Sequence, residues 1–335
     1  MLKLNLQPTT WNIQQRTMFK IALVDKTHPV LRELLESAGM VCLDCTQLGK
    51  EEVIAVLADC RGMVVRSRFV VDADFLQQVA HLDFIARWGV GVEHIDLDAA
   101  AQLGIQVFTS PEGSRDTVAE HTMGLLLALL NNLSRADRQV RAGQWIREGN
   151  RGIEIKGKTV GIMGYGNMGR AFARRLQGFQ ARVIAYDRYL TNYADFCAEA
   201  VDLDTLWNES DIISLHFPYS IDNHYFVDGA FLDRFAKPIF LINTARGLIL
   251  HTEDLVTRLK SGQVRGAALD VIEYEETSFA HLNPDALPPA FQYLRQSDNV
   301  VLSPHIAGWS FESEEGHGRV LAEKIVVGCG GVVRL

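Results

Sequence analysis

The sequence predicts an α/β protein built as two doubly wound parallel-sheet domains, and three observations predict it. Short runs rich in Val, Ile and Leu alternate with amphipathic stretches along most of the chain, a pattern that fits βαβ units rather than hairpins. The alternation occurs twice, as two series separated by one long apolar segment. A chain of 335 residues also exceeds what a single hydrophobic core usually organises, so two domains are expected.

In the first series the strands read "FKIALVD", "MVCLDC", "GMVVRS", "LDFIARW" and "IQVFT", and the helices between them include "PVLRELLESAG" and "KEEVIAVLADC". The separating segment, "SRDTVAEHTMGLLLALLNNLSRADRQVRAGQW", reads as one helix of about eight turns, without Pro and with a single Gly before its last turn. Its first half is apolar almost all round, which predicts burial against more than one neighbour. The second series runs through "KTVGIMG", "ARVIAYD", "DIISLHF", "PIFLINTA", "RGAALDV" and "NVVLSP". One more helix, "FESEEGHGRVLAEKIVVG", follows.

Composition narrows the function classes. The chain is 47% hydrophobic and 22% charged, enough to build a full core. A formal charge of −8 argues against general binding to nucleic acid or anionic membranes. The apolar run "GLLLALL" is too short to span a bilayer. Residues 1–17 lack the apolar stretch of a signal peptide and read as a flexible N-terminal extension, with Met18 a candidate start. A cytoplasmic protein is expected. The five cysteines form no disulfide framework, and no second pair joins Cys42 and Cys45 to make a metal site. On a strand, residues three apart point to opposite faces.

The stretch "GIMGYGNMGR" carries Gly164, Gly166 and Gly169 in a G-x-G-x-x-G spacing. It follows the strand "TVGIM" and opens the helix "NMGRAFARRLQGF", and the next strand ends at Asp187, about 20 residues on. That context marks a Rossmann-type dinucleotide site, with the amides of Asn167 and Met168 facing the phosphates. Asp187 accepts hydrogen bonds from ribose hydroxyls and repels a 2′-phosphate, which selects NAD over NADP; Arg188 beside it offsets part of that repulsion.

Three later strand ends carry ionisable residues: Arg246 in "INTARG", Asp270 and Glu275 in "ALDVIEYEE", and His305 in "LSPHIAG". In an open α/β sheet, ligands bind beyond the carboxyl ends of strands. With the glycine turn, "ARWGVGVEHID" and "DTVAEHTMGLLLAL", these motifs resemble the D-2-hydroxyacid dehydrogenases over residues 19 to 328. The resemblance implies a chain that interconverts a D-2-hydroxy acid and its 2-keto acid with NAD. His305 would be the general acid/base, Glu275 would orient its ring, and Arg246 would grip the substrate carboxylate. Asp270 would hold the nicotinamide carboxamide. The cofactor would also meet Thr117, His216, Phe217, Pro218, Thr244, Ala245 and Gly308, and the substrate the amides of Val90 and Gly91.

The same resemblance implies a discontinuous layout. Residues 18–115 and 306–335 would form a flavodoxin-like substrate domain and residues 116–305 the NAD domain, with substrate in the cleft between them. A homodimer through the helix starting near Asp116 is implied as well. Arg66 and Ser67 in "VVRSR", with Arg68, are similar to the phosphate-binding segment of phosphoglycerate dehydrogenases, while Arg87 could add charge. Glyoxylate, hydroxypyruvate or an aliphatic hydroxy acid are the other candidates. Two departures stand out: Glu276 follows Glu275 where the family has Pro, leaving Glu273 and Glu276 as rivals for its role, and the segment between Glu275 and His305 is long. From another class, an NAD-sensing corepressor-like dimer would show the same triad.

Overall fold

A computed structural model describes residues 19–275 and 288–330. The expectations for residues 1–17, Met18, Glu276 and most of the long segment after it lie outside the described residues. The chain divides into two compact units. Unit 1 takes in the chain up to Ser114 and from Phe311 onward, and unit 2 is Arg115–Ser310.

In unit 1 five strands, β1 (Lys20–Leu23), β2 (Val41–Asp44), β3 (Gly62–Val65), β4 (Phe84–Arg87) and β5 (Gln106–Phe108), form a parallel sheet in the order β2-β1-β3-β4-β5. Period two decides the two faces. Ile21, Leu23 and Val64 join one cluster, whereas Ala22, Val24, Met63 and Val65 join the other. The helices are α1 (Pro29–Ser37), α2 (Lys50–Leu57), α3 (Ala73–Gln78) and α4 (Leu97–Gln102). Their starts are capped locally: Asp72 accepts from the Phe75 amide at 2.8 Å and Asp96 from the Ala99 amide at 2.9 Å.

Cys42 packs in one cluster and Cys45 in the other, so the C-x-x-C is split across the sheet. Burial pushes the Cys42 thiol up to about 11. The last helix, α12 (Phe311–Gly328), closes unit 1 by packing Leu321, Ala322, Ile325 and Val326 beside Ile21 and Trp88.

Unit 2 holds β6 (Thr159–Met163), β7 (Arg182–Tyr186), β8 (Glu199–Ala200), β9 (Ile212–Leu215), β10 (Ile239–Asn243), β11 (Val264–Leu269) and β12 (Val300–Leu302), all parallel. Their order is β12-β11-β10-β9-β6-β7-β8. The first strand of the unit is therefore interior, and strand order reverses beside it, between β6 and β9. Such a switch point opens a crevice at the carboxyl ends of the strands. Helices α7 (Asn167–Leu176), α8 (Leu203–Glu209), α9 (Gly229–Leu232), α10 (Thr252–Ser261) and α11 (Pro289–Gln296) connect the strands.

The single long helix expected between the two series is two helices, α5 (Pro111–Leu130) and α6 (Leu133–Arg141). The break has a local cause. Asn132 adopts a left-handed conformation, φ 54°, which Asn tolerates better than most residues. Ile153 then donates its amide to the Leu130 carbonyl at 3.0 Å, supplying a partner outside the helix. The apolar half of α5 is core: Met123, Leu125, Leu126, Leu129 and Leu130 pack with Val160, Ile162 and Phe172 of unit 2.

Candidate active site

At the glycine turn each glycine has a different reason. Gly164 sits at φ +89°, and a Cβ there would lie 2.8 Å from the backbone of His216 and Phe217. A Cβ on Gly169 would run into the Gly164 carbonyl, so this glycine lets α7 press against its own turn. A Cβ on Gly166 meets nothing within 4 Å. That open space, beside the amides of Asn167 and Met168 at the start of α7, fits a pyrophosphate.

Asp187 follows β7 and is locked to the turn. One carboxylate oxygen accepts from the Tyr165 amide at 2.8 Å; the other accepts from Tyr189 and Leu190 at 2.9 and 3.0 Å. A carboxylate offers about four acceptor positions, which leaves capacity for a ribose hydroxyl. These features together fit NAD.

Across the crevice, the chain leaving β9 carries His216, Phe217 and Pro218. The His216 ring bonds Ser214 at 2.8 Å and lies 5.4 Å from Phe172. Although some of the residue's surface is exposed, burial of the ring pushes its pKa down to about 3, so it is neutral. Thr244 bonds the hydroxyl of Thr122 at 3.1 Å, and the Ala245 amide donates to Asn243 Oδ1 at 3.0 Å. Thr117 bonds Ser310 at 2.9 Å. Gly308 lies in the turn that follows His305.

The ends of β10, β11 and β12 are neighbours in the sheet, and their loops are tied together. The Asp270 amide donates to the Asn243 carbonyl at 3.0 Å, and the His305 amide to the Asp270 carbonyl at 2.7 Å. Arg246 leaves β10 in extended backbone and donates to the Ala245 carbonyl at 2.7 Å. Next to it, Gly247 touches the turn after β11 so closely that a Cβ would strike the Ile272 carbonyl. The loops that carry Arg246 and Glu275 are thus packed backbone to backbone.

His305 Nδ1 and Glu275 Oε2 are 2.5 Å apart, and the other Glu275 oxygen accepts from the Ile272 amide at 2.5 Å. An ionised carboxylate only accepts, so Nδ1 carries the proton of this bond. His305 has φ +55°, a region that L-residues seldom adopt and that clusters at functional sites. Glu273 faces elsewhere: its carboxylate accepts from the Thr252 amide at 3.3 Å, at the start of α10. Among the described rivals, the geometry pairs Glu275 with the imidazole.

Asp270, after β11, ties down the loop after β12. Its side chain is fully buried and accepts from Ser303 at 2.6 Å, Ile306 at 3.0 Å and Ala307 at 2.8 Å, with His121 at 3.3 Å. Burial alone would raise its pKa, but hydrogen bonds from His121, Ser303, Ala307 and Ile306 outweigh it and hold the carboxyl below its ordinary value. Asp270 therefore anchors the loop that carries His305. His121 and Ser303 complete that anchor and were not singled out in the sequence; the only signal was a His on the buried side of an apolar helix.

In unit 1, β4 ends in "RWGVG". Gly89 has φ +123°, its amide donates to the buried Ser110 hydroxyl at 3.1 Å, and its carbonyl accepts from the Ser110 amide at 2.8 Å. Val90 is exposed and Gly91 buried. Arg66 and Ser67, both half-buried, follow β3. Arg68 is turned back onto the sheet, donating to the carbonyls of Val24 and Cys45 at 3.0 Å and to that of Leu48. Arg87 donates to the Trp88 carbonyl.

A sequence profile of the D-isomer specific 2-hydroxyacid dehydrogenase NAD binding domain matches residues 123–307. The chain is 34% identical over 310 residues to a hydroxypyruvate reductase of Thermotoga maritima, covering 92% of this chain and 97% of that protein. It is 32% identical over 309 residues to a D-3-phosphoglycerate dehydrogenase of Rattus norvegicus, covering 92% of this chain and 56% of the relative. The chain therefore spans little more than half of that dehydrogenase. Among solved structures, a D-2-hydroxyisocaproate dehydrogenase superposes with a TM-score of 0.77 at 27% identity, covering 93% of this chain and 98% of that one.

Proposed function

We propose, since the chain belongs to the D-isomer-specific 2-hydroxyacid dehydrogenase family, that it interconverts a D-2-hydroxy acid and its 2-keto acid with NAD. The observation that carries this reading is the 2.5 Å bond between His305 and Glu275, at the carboxyl end of the sheet that holds the glycine turn. The cofactor, when bound, supplies or takes the hydride.

The protein's own groups do the rest. Asn167 and Met168 present amides to the pyrophosphate, and Asp187 takes the ribose. His305 passes a proton to the carbonyl oxygen through Nε2, oriented by Glu275, and takes it back in the reverse direction. Arg246 clamps the carboxylate and polarises the carbonyl. Asp270, His121 and Ser303 hold the histidine loop in place. For unit 1 we assign recognition of the substrate carboxylate to the amides of Val90 and Gly91, where glycine permits close approach.

Assembly and location belong to the same reading. Since the apolar residues of α5 are core, a homodimer would use its exposed side together with α6 and the residues after it, where Leu133, Val140, Trp145 and Ile146 are exposed. Five free cysteines, four of them buried, fit the reducing cytoplasm. The test is NADH oxidation with a panel of 2-keto acids. Turnover of at least one supports the assignment, whereas tight NADH binding without turnover of any points to the corepressor-like alternative.

A further inference from the structure

The loop after β7 is tied to the glycine turn twice, and one residue makes both ties. Tyr165, between Gly164 and Gly166, donates its amide to Asp187 Oδ2 at 2.8 Å. Its side chain is fully buried, and its hydroxyl donates to Asp195 Oδ1 at 2.8 Å, further along the same loop. The Cys197 amide donates to the same oxygen at 2.8 Å. Arg170 of α7 completes the tie, pairing with the other Asp195 oxygen at 3.4 Å and donating to the Tyr165 carbonyl at 3.0 Å. Burial alone would raise the Asp195 carboxyl. Bonds from Cys197, Tyr165 and Ala198 and the Arg170 charge outweigh it and hold the carboxyl below its ordinary value.

The backbone of Asp187 is held as well, although β8 stops short of it. Strand β8 pairs with β7 only at Ile184 and Ala185, and the Val201 amide then donates to the Ala185 carbonyl at 2.9 Å. The buried Tyr193 supplies the next rung: its hydroxyl accepts from the Asp187 amide at 2.9 Å and donates to the Ala185 carbonyl at 3.0 Å. Its ring lies 5.8 Å from that of Tyr165. A carboxylate fixed in this way keeps one direction toward a ribose hydroxyl and one negative charge against a 2′-phosphate. Arg188, the cation beside it, lies over the Tyr189 ring at 5.7 Å and is what a 2′-phosphate would gain if Asp187 swung away.

We propose that Tyr165 and Asp195 are positioning residues for cofactor choice: by binding the loop to the glycine turn they hold Asp187 where it favours NAD and opposes NADP. The proposal rests on the reading that Asp187 takes the ribose.

Fluorescence titration of the full chain with NADH and with NADPH, beside thermal melts, is the test. Tyr165→Phe removes one hydroxyl and no charge. The ratio of the NADPH to the NADH dissociation constant should fall by about three- to tenfold, the worth of one hydrogen bond. Asp195→Ala should lower it at least as far, while Asp195→Asn, which keeps an acceptor for Tyr165 and Cys197, should stay nearer the wild type. An unchanged ratio in Tyr165→Phe overturns the proposal, whether or not the melting temperature and both affinities fall together. A ratio that moves in Asp195→Asn but not in Tyr165→Phe assigns the effect to charge and overturns it too. Asp187→Asn separates this proposal from the reading beneath it. If that variant leaves the ratio unchanged, the ribose assignment falls and takes the proposal with it; if it lowers the ratio while Tyr165→Phe does not, the proposal alone falls.

Discussion

At the scale of single residues, side chains that look alike in sequence have unlike partners. Glu273 and Glu275 are two positions apart, yet one accepts from the Thr252 amide and the other from His305. Glu275→Gln should lower kcat by about 10²-fold, in the range for disturbing a general acid/base, while Glu273→Gln should stay within a few-fold of wild type. Steady-state kinetics on both variants, with circular dichroism to confirm folding, checks this. A larger loss from Glu273→Gln would exchange their roles. The sequence resemblance favoured Glu275 but left Glu273 and Glu276 as rivals, because the pairing depends on the turn Ile272–Glu275 and on a hydrogen bond spanning 30 residues. The pairing of Arg66 with Glu314, 248 residues apart, was invisible for the same reason.

Elements were more legible, because their signals are local. Strand and helix periodicity placed β1 to β7, β9 to β12 and the tail helix α12 where they occur. The pattern missed β8, whose two residues carry no periodicity at all. It also fused α5 and α6, since nothing in an apolar helix followed by a polar one signals a left-handed Asn between them.

The glycine turn gives the element-scale prediction. Gly166→Ala adds a methyl to open space, so the protein should keep its melting temperature and lose roughly tenfold or more in NADH affinity. Gly169→Ala sets a methyl against the Gly164 carbonyl and should cost about 1–3 kcal/mol of stability as well. Thermal melts and fluorescence titration of NADH separate the two effects. Equal melting and equal affinity for both variants would mean that the turn does not hold the cofactor.

For the whole molecule, the double α/β series in the sequence corresponds to the two compact units, and α5 and α12 are the helices at which the chain passes from one to the other. Stability should depend on pH through buried imidazoles: His94 is held below its ordinary value by burial, and the strongest shifts fall on one imidazole in each unit. His317, bonded to Ser110 at 2.8 Å, is pushed down to about 4 mainly by burial, and His216 to about 3. Both stay neutral in the fold, while their unfolded counterparts take up protons near pH 6.5. Below that value the unfolded state binds more protons, so the stability these groups contribute is present above pH 6.5 and is lost as pH falls toward 4. Urea unfolding at pH 7.5, 6 and 5 should show a falling free energy, and His317→Asn should flatten the slope. A stability that rises on acidification would contradict the neutral assignment. The exposed Trp145 and its neighbours predict a dimer, which light scattering of the full chain reads directly.

The most direct measurement is the rate of NADH oxidation by wild type and His305→Ala on the best acid of a 2-keto acid panel, alongside NADH affinity for each. The expected result is a fall in kcat of about 10²–10⁴-fold with the dissociation constant for NADH nearly unchanged. Wild-type turnover retained by His305→Ala would contradict it.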